Sequence, residues 1–224
     1  IRNTVILGFQ QLLFGFPAPI MSAILLNELA NGRFKNWMQS FTYLPHFVSQ
    51  VVIVGLMFQL VNFEGFITRI IADIIGSAPV ILADPGAFRP MYIISGLWQN
   101  LGWGSILYLA AMTGINPELY EAADIDGASR FQKIWRVTLP AILPTILVLL
   151  ILNTRSLIDV GFEKALLIQN PATYETSDII QTYVYRRGIQ NGQYGYATAV
   201  GLLNSIISFS IVYATNRIVR KVRG

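Results

Sequence analysis

Charge disappears from this chain for long intervals. Asp, Glu, Lys and Arg are absent from Asn3 to Asn27, Asn36 to Phe63, Pro90 to Pro117, Val137 to Thr154 and Gly188 to Asn216. A helix that crosses a bilayer needs about 20 mainly apolar residues. Because lipid offers peptide groups no hydrogen-bond partner, such segments must pair their own backbone, which favours helices. The pattern predicts an all-α fold, a polytopic membrane helix bundle with five transmembrane helices, the fourth continuing through Arg155 to Ile158. Residues 1–224 read as a single transmembrane domain, with outer loops at about 63–89 and 161–194 and an inner loop at about 115–139.

Lys and Arg favour the cytoplasmic side of short loops. One alternation puts nine of the sixteen inside: Arg33 and Lys35, then Arg130, Lys133 and Arg136, then Arg217, Arg220, Lys221 and Arg223. Arg2, Arg69, Arg89, Lys164, Arg186 and Arg187 fall outside, so the first residue is outer and the last inner. Ile1-Arg2-Asn3 shows neither a starting Met nor a signal-peptide pattern, which leads to the expectation that an earlier helix precedes this stretch.

The outer loops carry structure of their own. Ile67, Ile70, Ile71, Ile74 and Ile75 recur at helical spacing, which predicts a short amphipathic helix on the outer surface before the turn at Ala83-Asp84-Pro85-Gly86. In 161–194 the sequence predicts a short helix with Ile180, Tyr183 and Val184 on one side and Ser177 as its cap.

Composition narrows the function classes. Hydrophobic residues make up 54% of the chain and charged residues 12%, about half the charge of a soluble domain. The net charge of +4 is too dispersed for a nucleic-acid surface. There is no cysteine and one histidine, His46, so thiol chemistry, disulfides and a zinc or other metal cluster are excluded. An intramembrane hydrolase also lacks its parts, and no catalytic residue is assigned. His46, beside Pro45, reads as a boundary or packing residue.

The inner loop reads as two short helices joined by a turn. Asn116 is an N-cap, Pro117 fits the first helical position, and Glu118 and Glu121 suit the positive end of the helix dipole. Gly127 can supply a left-handed stop and make a bend that a side chain would obstruct. Ser129 caps a second helix with Phe131, Ile134 and Trp135 on one face, before Pro140 and Pro144 open the fourth span. The run Glu121-Ala122-Ala123, three residues, Gly127, nine residues, Val137-Thr138-Leu139-Pro140 resembles the signature loop of binding-protein-dependent ABC transporter permeases, with Val137 where that pattern usually has Ile.

Further stretches are similar to the polysaccharide or aldouronate branch of sugar permeases: Phe14-Gly-Phe-Pro-Ala-Pro-Ile20, Asn27-Glu-Leu-Ala-Asn-Gly-Arg-Phe-Lys35, Tyr43-Leu-Pro-His46, Trp103-Gly-Ser-Ile-Leu-Tyr-Leu-Ala-Ala111 and Ser177-Asp-Ile-Ile-Gln-Thr-Tyr-Val-Tyr185. Members of that branch have one more helix before the position of Ile1, so the resemblance implies an ABC importer permease fold whose first helix is missing here. It implies a multi-pass protein of the bacterial cell (inner) membrane that imports oligosaccharides or polysaccharide fragments by alternating access. The implied partners are a second permease subunit in a heterodimer, two cytoplasmic ABC ATPase subunits, an extracytoplasmic solute-binding protein, the saccharide and membrane lipid. The chain itself is not an enzyme and holds no cofactor. ATP and magnesium belong to the partner ATPase, since no Gly-x-x-x-x-Gly-Lys-Ser/Thr loop occurs here. ATPase coupling falls on Glu121, Ala122, Ala123, Asp126, Gly127 and Arg130, where small residues allow close approach.

Polar residues inside spans usually face a bundle interior or a water-filled cavity. Two clusters qualify as a sugar path: Trp98, Gln99, Asn100 and Trp103 in the third span, and Asn153, Arg155 and Asp159 at the end of the fourth. The aromatic rings can stack on sugar faces and the amides can pair with hydroxyls. Arg155 suits a uronate carboxylate, with Asp159 as a rival ion-pair partner one turn away. The bland alternatives are an interfacial aromatic belt and amides that glue helices together. The competing function is a secondary transporter or channel that works without ATPases, which would call for ion-coupling carboxylates deep in the spans.

Overall fold

The computed structural model describes residues 1–29 and 32–223, with only the backbone at 222 and 223. Ala30 and Asn31, inside one of the family-like stretches, lie outside the described residues, as does the Arg223 side chain. The described residues form helices joined by turns, with no strand among them. Helix α1 covers Arg2–Asn27, α2 Gly32–Tyr43, α3 Gln50–Val61, α4 Phe66–Ile75 and α5 Pro85–Thr113. The second half comprises α6 Pro117–Ile125, α7 Arg130–Leu157, α8 Phe162–Ile168, α9 Ile180–Tyr185 and α10 Tyr194–Arg223.

Among the described residues, four helical stretches are long and apolar enough to cross a membrane: Arg2–Asn27, Gln50–Ile75, Arg130–Leu157 and Tyr194–Lys221. Gln50–Ile75 is not straight. It turns at Asn62 and Gly65, where Thr68 donates to the Val61 carbonyl at 3.0 Å. The remaining expected crossing is α5, whose 29 residues extend about 43 Å at about 1.5 Å per residue.

The second charge-free run is not one helix. Leu44–Phe47 forms a 3₁₀ turn, Val48 and Ser49 are extended, and Ser49 restarts the helix by accepting from Val52 N. Pro45 has no N–H to continue an α-helical ladder. A carbonyl freed by the break, that of Val48, accepts from Gln99 Nε2 at 3.3 Å. Gly102 lets α5 approach the end of α2, since a Cβ there would come within 2.2 Å of the Thr42 carbonyl oxygen.

The fourth span departs from expectation in the opposite sense. Pro140 and Pro144 do not separate it from the loop helix, because α7 runs unbroken from Arg130 to Leu157. A π-turn at Ile134–Thr138 relaxes the ladder just before Pro140. A second π-turn, Gln11–Gly15, precedes Pro17 in α1. In the outer segment the expected Ser177 cap is absent. Ser177 ends a preceding helical turn and is buried against the Thr173 hydroxyl, whereas Ile179 is the residue that precedes α9, its N–H donating to Thr182 Oγ1.

The expected surface helix is α4, with Thr68 buried and Ile67, Ile70, Ile74 and Ile75 exposed. Two apolar clusters hold the bundle. The outer one joins Leu7, Val54, Phe88, Tyr92, Val160 and Ile179. The inner one joins Ala23, Leu26, Tyr108, Met112 and Ile142. Helix α5 contributes to both, at its outer and inner thirds, and leaves its middle third to line a cavity.

Candidate functional site

The inner loop folds as its residues dictate. Asn116 Oδ1 accepts from Glu118 N at 3.1 Å and Pro117 takes the first position of α6. Gly127, at φ +70, ends the helix, with Ala128 N donating to the Ala123 carbonyl at 2.9 Å. Ser129 and Gln132 form a reciprocal cap at the start of α7. Open space surrounds the Cβ position at Gly127, so the requirement for glycine is its left-handed backbone and not steric room.

Two contacts that periodicity did not indicate tie α6 to α7. Lys133 Nζ lies 2.7 Å from Asp124 Oδ1, and the Tyr120 hydroxyl lies 2.9 Å from Thr138 Oγ1, which is buried at the π-turn. Between these ties, α6 faces outward. Glu121, Ala122, Asp126, Gly127 and Arg130 are exposed, Ala123 is half-buried, and Ile125 is 88% exposed. The Glu121 side chain makes no hydrogen bond within the chain among the described residues. The surface is therefore small-residue, acidic and apolar at once, on a short helix held rigidly to a span.

A cavity of about 890 Å³ lies between the two apolar clusters. Its walls come from α1, the first residue of α3, the middle of α5, the end of α7 and the start of α8. Trp103 of the lining is held by two rings that do not themselves line the cavity: His46 stacks on it, with centroids 4.6 Å apart and planes at 3°, and Phe47 meets the same indole edge-on. His46 Nδ1 is 3.2 Å from Asn100 Oδ1, whose own amide N donates to the Gly96 carbonyl. The accepting oxygen requires the imidazole proton on Nδ1. Gln50 Nε2 donates to Gln99 Oε1 at 2.8 Å.

Of the residues assigned to a sugar path, Gln99, Asn100, Trp103, Asn153 and Asp159 line the cavity, and Trp98 and Arg155 do not. Trp98 is half-exposed on another side of α5. Arg155 pairs with Asp159 at 3.0 Å, the rival arrangement for that cation. Sequence reading missed Gln11, Gln50 and Lys164, which also line it, whereas His46 packs on Trp103 in keeping with its reading as a boundary or packing residue. Each polar residue of α1 and α3 inside an apolar run was the available signal. The Gln11 and Gln50 amide oxygens, both at the cavity, have no hydrogen-bond partner in the protein.

At the outer end, Lys164 Nζ donates to the Tyr92 carbonyl at 2.8 Å and lies 4.8 Å from the centroid of the same ring. Burial pushes its ammonium down to a pKa of about 7. The described residues contain no cluster of His, Cys, Asp and Glu able to hold a metal ion.

The family described as "Binding-protein-dependent transport system inner membrane component" matches residues 15–224. Protein LplB of Bacillus subtilis (strain 168) is 43% identical over 222 residues, covering 99% of this chain and 70% of that protein. The polygalacturonan/rhamnogalacturonan transport system permease protein YteP of the same organism is 40% identical, covering 99% and 69%. The crystal structure of a bacterial ABC transporter involved in the import of the acidic polysaccharide alginate superposes with a TM-score of 0.96 at 42% identity, over 100% of this chain and 79% of that one. A bacterial alginate ABC transporter in complex with an alginate pentasaccharide-bound periplasmic protein gives 0.95 at 43%, over 99% and 77%.

Proposed function

We propose that this chain, which belongs to the family of binding-protein-dependent transport system inner membrane components, is one permease subunit of an ATP-driven importer for acidic oligosaccharides. The observation that carries the reading is the cavity: the flat Trp103 indole in its lining, and the Gln11 and Gln50 amide oxygens on its walls without partners. A buried acceptor left unpaired costs about 1–3 kcal/mol. Sugar hydroxyls supply donors for such acceptors, and Trp103 supplies an apolar face for a ring. Acidic substrates are supported by relatives whose names specify polygalacturonan and alginate transport.

In this reading a solute-binding protein releases the saccharide into the cavity from the outer side, and Gln99, Asn100, Trp103, Asn153 and Asp159 line its path. A second permease completes the passage. Two ATPase subunits receive α6 through Glu121, Ala122, Ala123, Asp126, Gly127 and Arg130. ATP and magnesium reside in those subunits, and this chain converts their closure into a rigid-body change of the bundle. Because α6 is tied to α7, and α7 forms a cavity wall at Asn153 and Ser156, displacement of the loop reaches the path through one continuous helix.

The test is the full complex in proteoliposomes, with ATP hydrolysis measured as binding protein is added. Binding protein loaded with a uronate oligosaccharide is expected to stimulate hydrolysis several-fold over unloaded protein. Failure of every saccharide-loaded form to stimulate would overturn the reading.

A further inference from the structure

Arg155, the cation nearest the path by sequence, is occupied by Asp159 and stands off the cavity wall. Lys164 is differently placed. It follows the turn at Gly161 and leads back under α5, where it is 7% exposed and lines the cavity. One of its three N–H donors goes to the Tyr92 carbonyl and the aromatic face lies beside it. A Cβ at position 96 would lie 3.1 Å from Nζ, so Gly96 keeps that flank of the ammonium clear of side chain.

A buried cation ordinarily has an anionic partner, because desolvation costs several kcal/mol. Lys164 has none: among the described residues no carboxylate lies within ion-pair distance of it. The charged and titratable groups around it are accounted for. Tyr92 donates its hydroxyl to the Val160 carbonyl, Asp159 is paired, and Glu163 lines the cavity without reaching Lys164. Helix α3 packs on α8 without contributing a titratable side chain, and α9 contributes only Tyr183 and Tyr185.

We propose that Lys164 is the residue that receives a carboxylate of the saccharide at the outer end of the cavity, which sets selectivity for acidic sugars. The inference rests on the reading of the cavity as a saccharide path. Tyr92 and Asn100 are eight residues apart on α5, about 12 Å. A chain of sugars can therefore place one acid group on Lys164 while another ring reaches Asn100 and the neighbouring Trp103. Burial that lowers the ammonium pKa also makes capture sensitive to pH, since the neutral amine above about pH 7 attracts no carboxylate.

The experiment uses the assembled transporter in proteoliposomes, with uronate and neutral oligosaccharides of equal length supplied on the same binding-protein system. Lys164→Met is expected to lower kcat/KM at least tenfold more for the acidic saccharide than for the neutral one. Lys164→Arg should restore most of that preference. The wild type should lose the preference between pH 6 and 8.5, and Lys164→Arg should keep it. Gly96→Ala, which crowds Nζ, should weaken the preference without removing the charge. Equal losses for both saccharides in Lys164→Met, or none, with wild-type preference intact would overturn the inference alone. A wild type that takes only neutral saccharides would overturn the acidic-substrate reading and the inference together.

Discussion

The hydroxyl pair that joins α6 to α7 should set how tightly hydrolysis is coupled to transport. Tyr120→Phe removes one oxygen and no packing. It leaves the Thr138 hydroxyl, 2% exposed, with only a 3.5 Å contact to the Lys133 carbonyl. Loss of a hydrogen bond to a buried group costs about 1 kcal/mol, which is about a fivefold change in the population of the docked arrangement. The other tie is weaker. Asp124 and Lys133 have side chains 61% and 22% exposed, and a solvent-exposed pair contributes about 0.2–1 kcal/mol, less at high salt. Reconstituted transporter assayed for saccharide imported per ATP hydrolysed should therefore show a drop approaching fivefold for Tyr120→Phe. Asp124→Asn should show a smaller drop that disappears in about 0.5 M salt, where the Debye length is well below 10 Å. Hydrolysis itself should persist in both, since the partner subunits perform it. An unchanged ratio in Tyr120→Phe, or a larger loss in Asp124→Asn at physiological salt, would refute the assignment of these contacts.

At Gly127, Asn should be tolerated and Val should abolish coupled transport while the protein still inserts in the membrane, because a left-handed L-residue costs roughly 1–2 kcal/mol and Asn least; equal loss in both would remove the backbone explanation. Gly102→Ala brings a Cβ against the Thr42 carbonyl, an overpacking of about 1–3 kcal/mol, and should lower the detergent-solubilised melting temperature by roughly 2–4 °C per kcal/mol; an unshifted transition would show that α2 and α5 are not in close contact. Single cysteines at Ser129 and Ala172, both exposed, should be labelled from opposite faces of intact membranes, and labelling of both by one impermeant external reagent would contradict the topology.

Local rules made the inner loop legible. Asn116, Pro117, Gly127 and Ser129 act within a few residues of themselves, so their caps and turn follow from residue type and spacing. The same holds for the amphipathic α4. Continuity of the spans was less legible, because absence of charge reports compatibility with lipid and not an unbroken ladder. Pro45 broke its run where Gln99, 51 residues away from Val48, could satisfy a freed carbonyl. Pro140 and Pro144 did not break theirs, because a π-turn absorbed the mismatch.

Side-chain direction was the other loss. Trp98 and Trp103 share a helix, but five residues turn the face by about 140° at 3.6 residues per turn, so only Trp103 reaches the cavity. Lys164 looked like an ordinary outer-loop cation. Its burial depends on Gly96 and Tyr92, about 70 residues earlier, and no local pattern reports that contact.

Accumulation of a labelled uronate oligosaccharide inside proteoliposomes holding the complete complex tests the central claim most directly. Uptake should require ATP on the side of the 115–139 loop, proceed against a concentration gradient, and survive ionophores that collapse ion gradients. Uptake without ATP that those ionophores abolish would contradict the account and identify a secondary transporter instead.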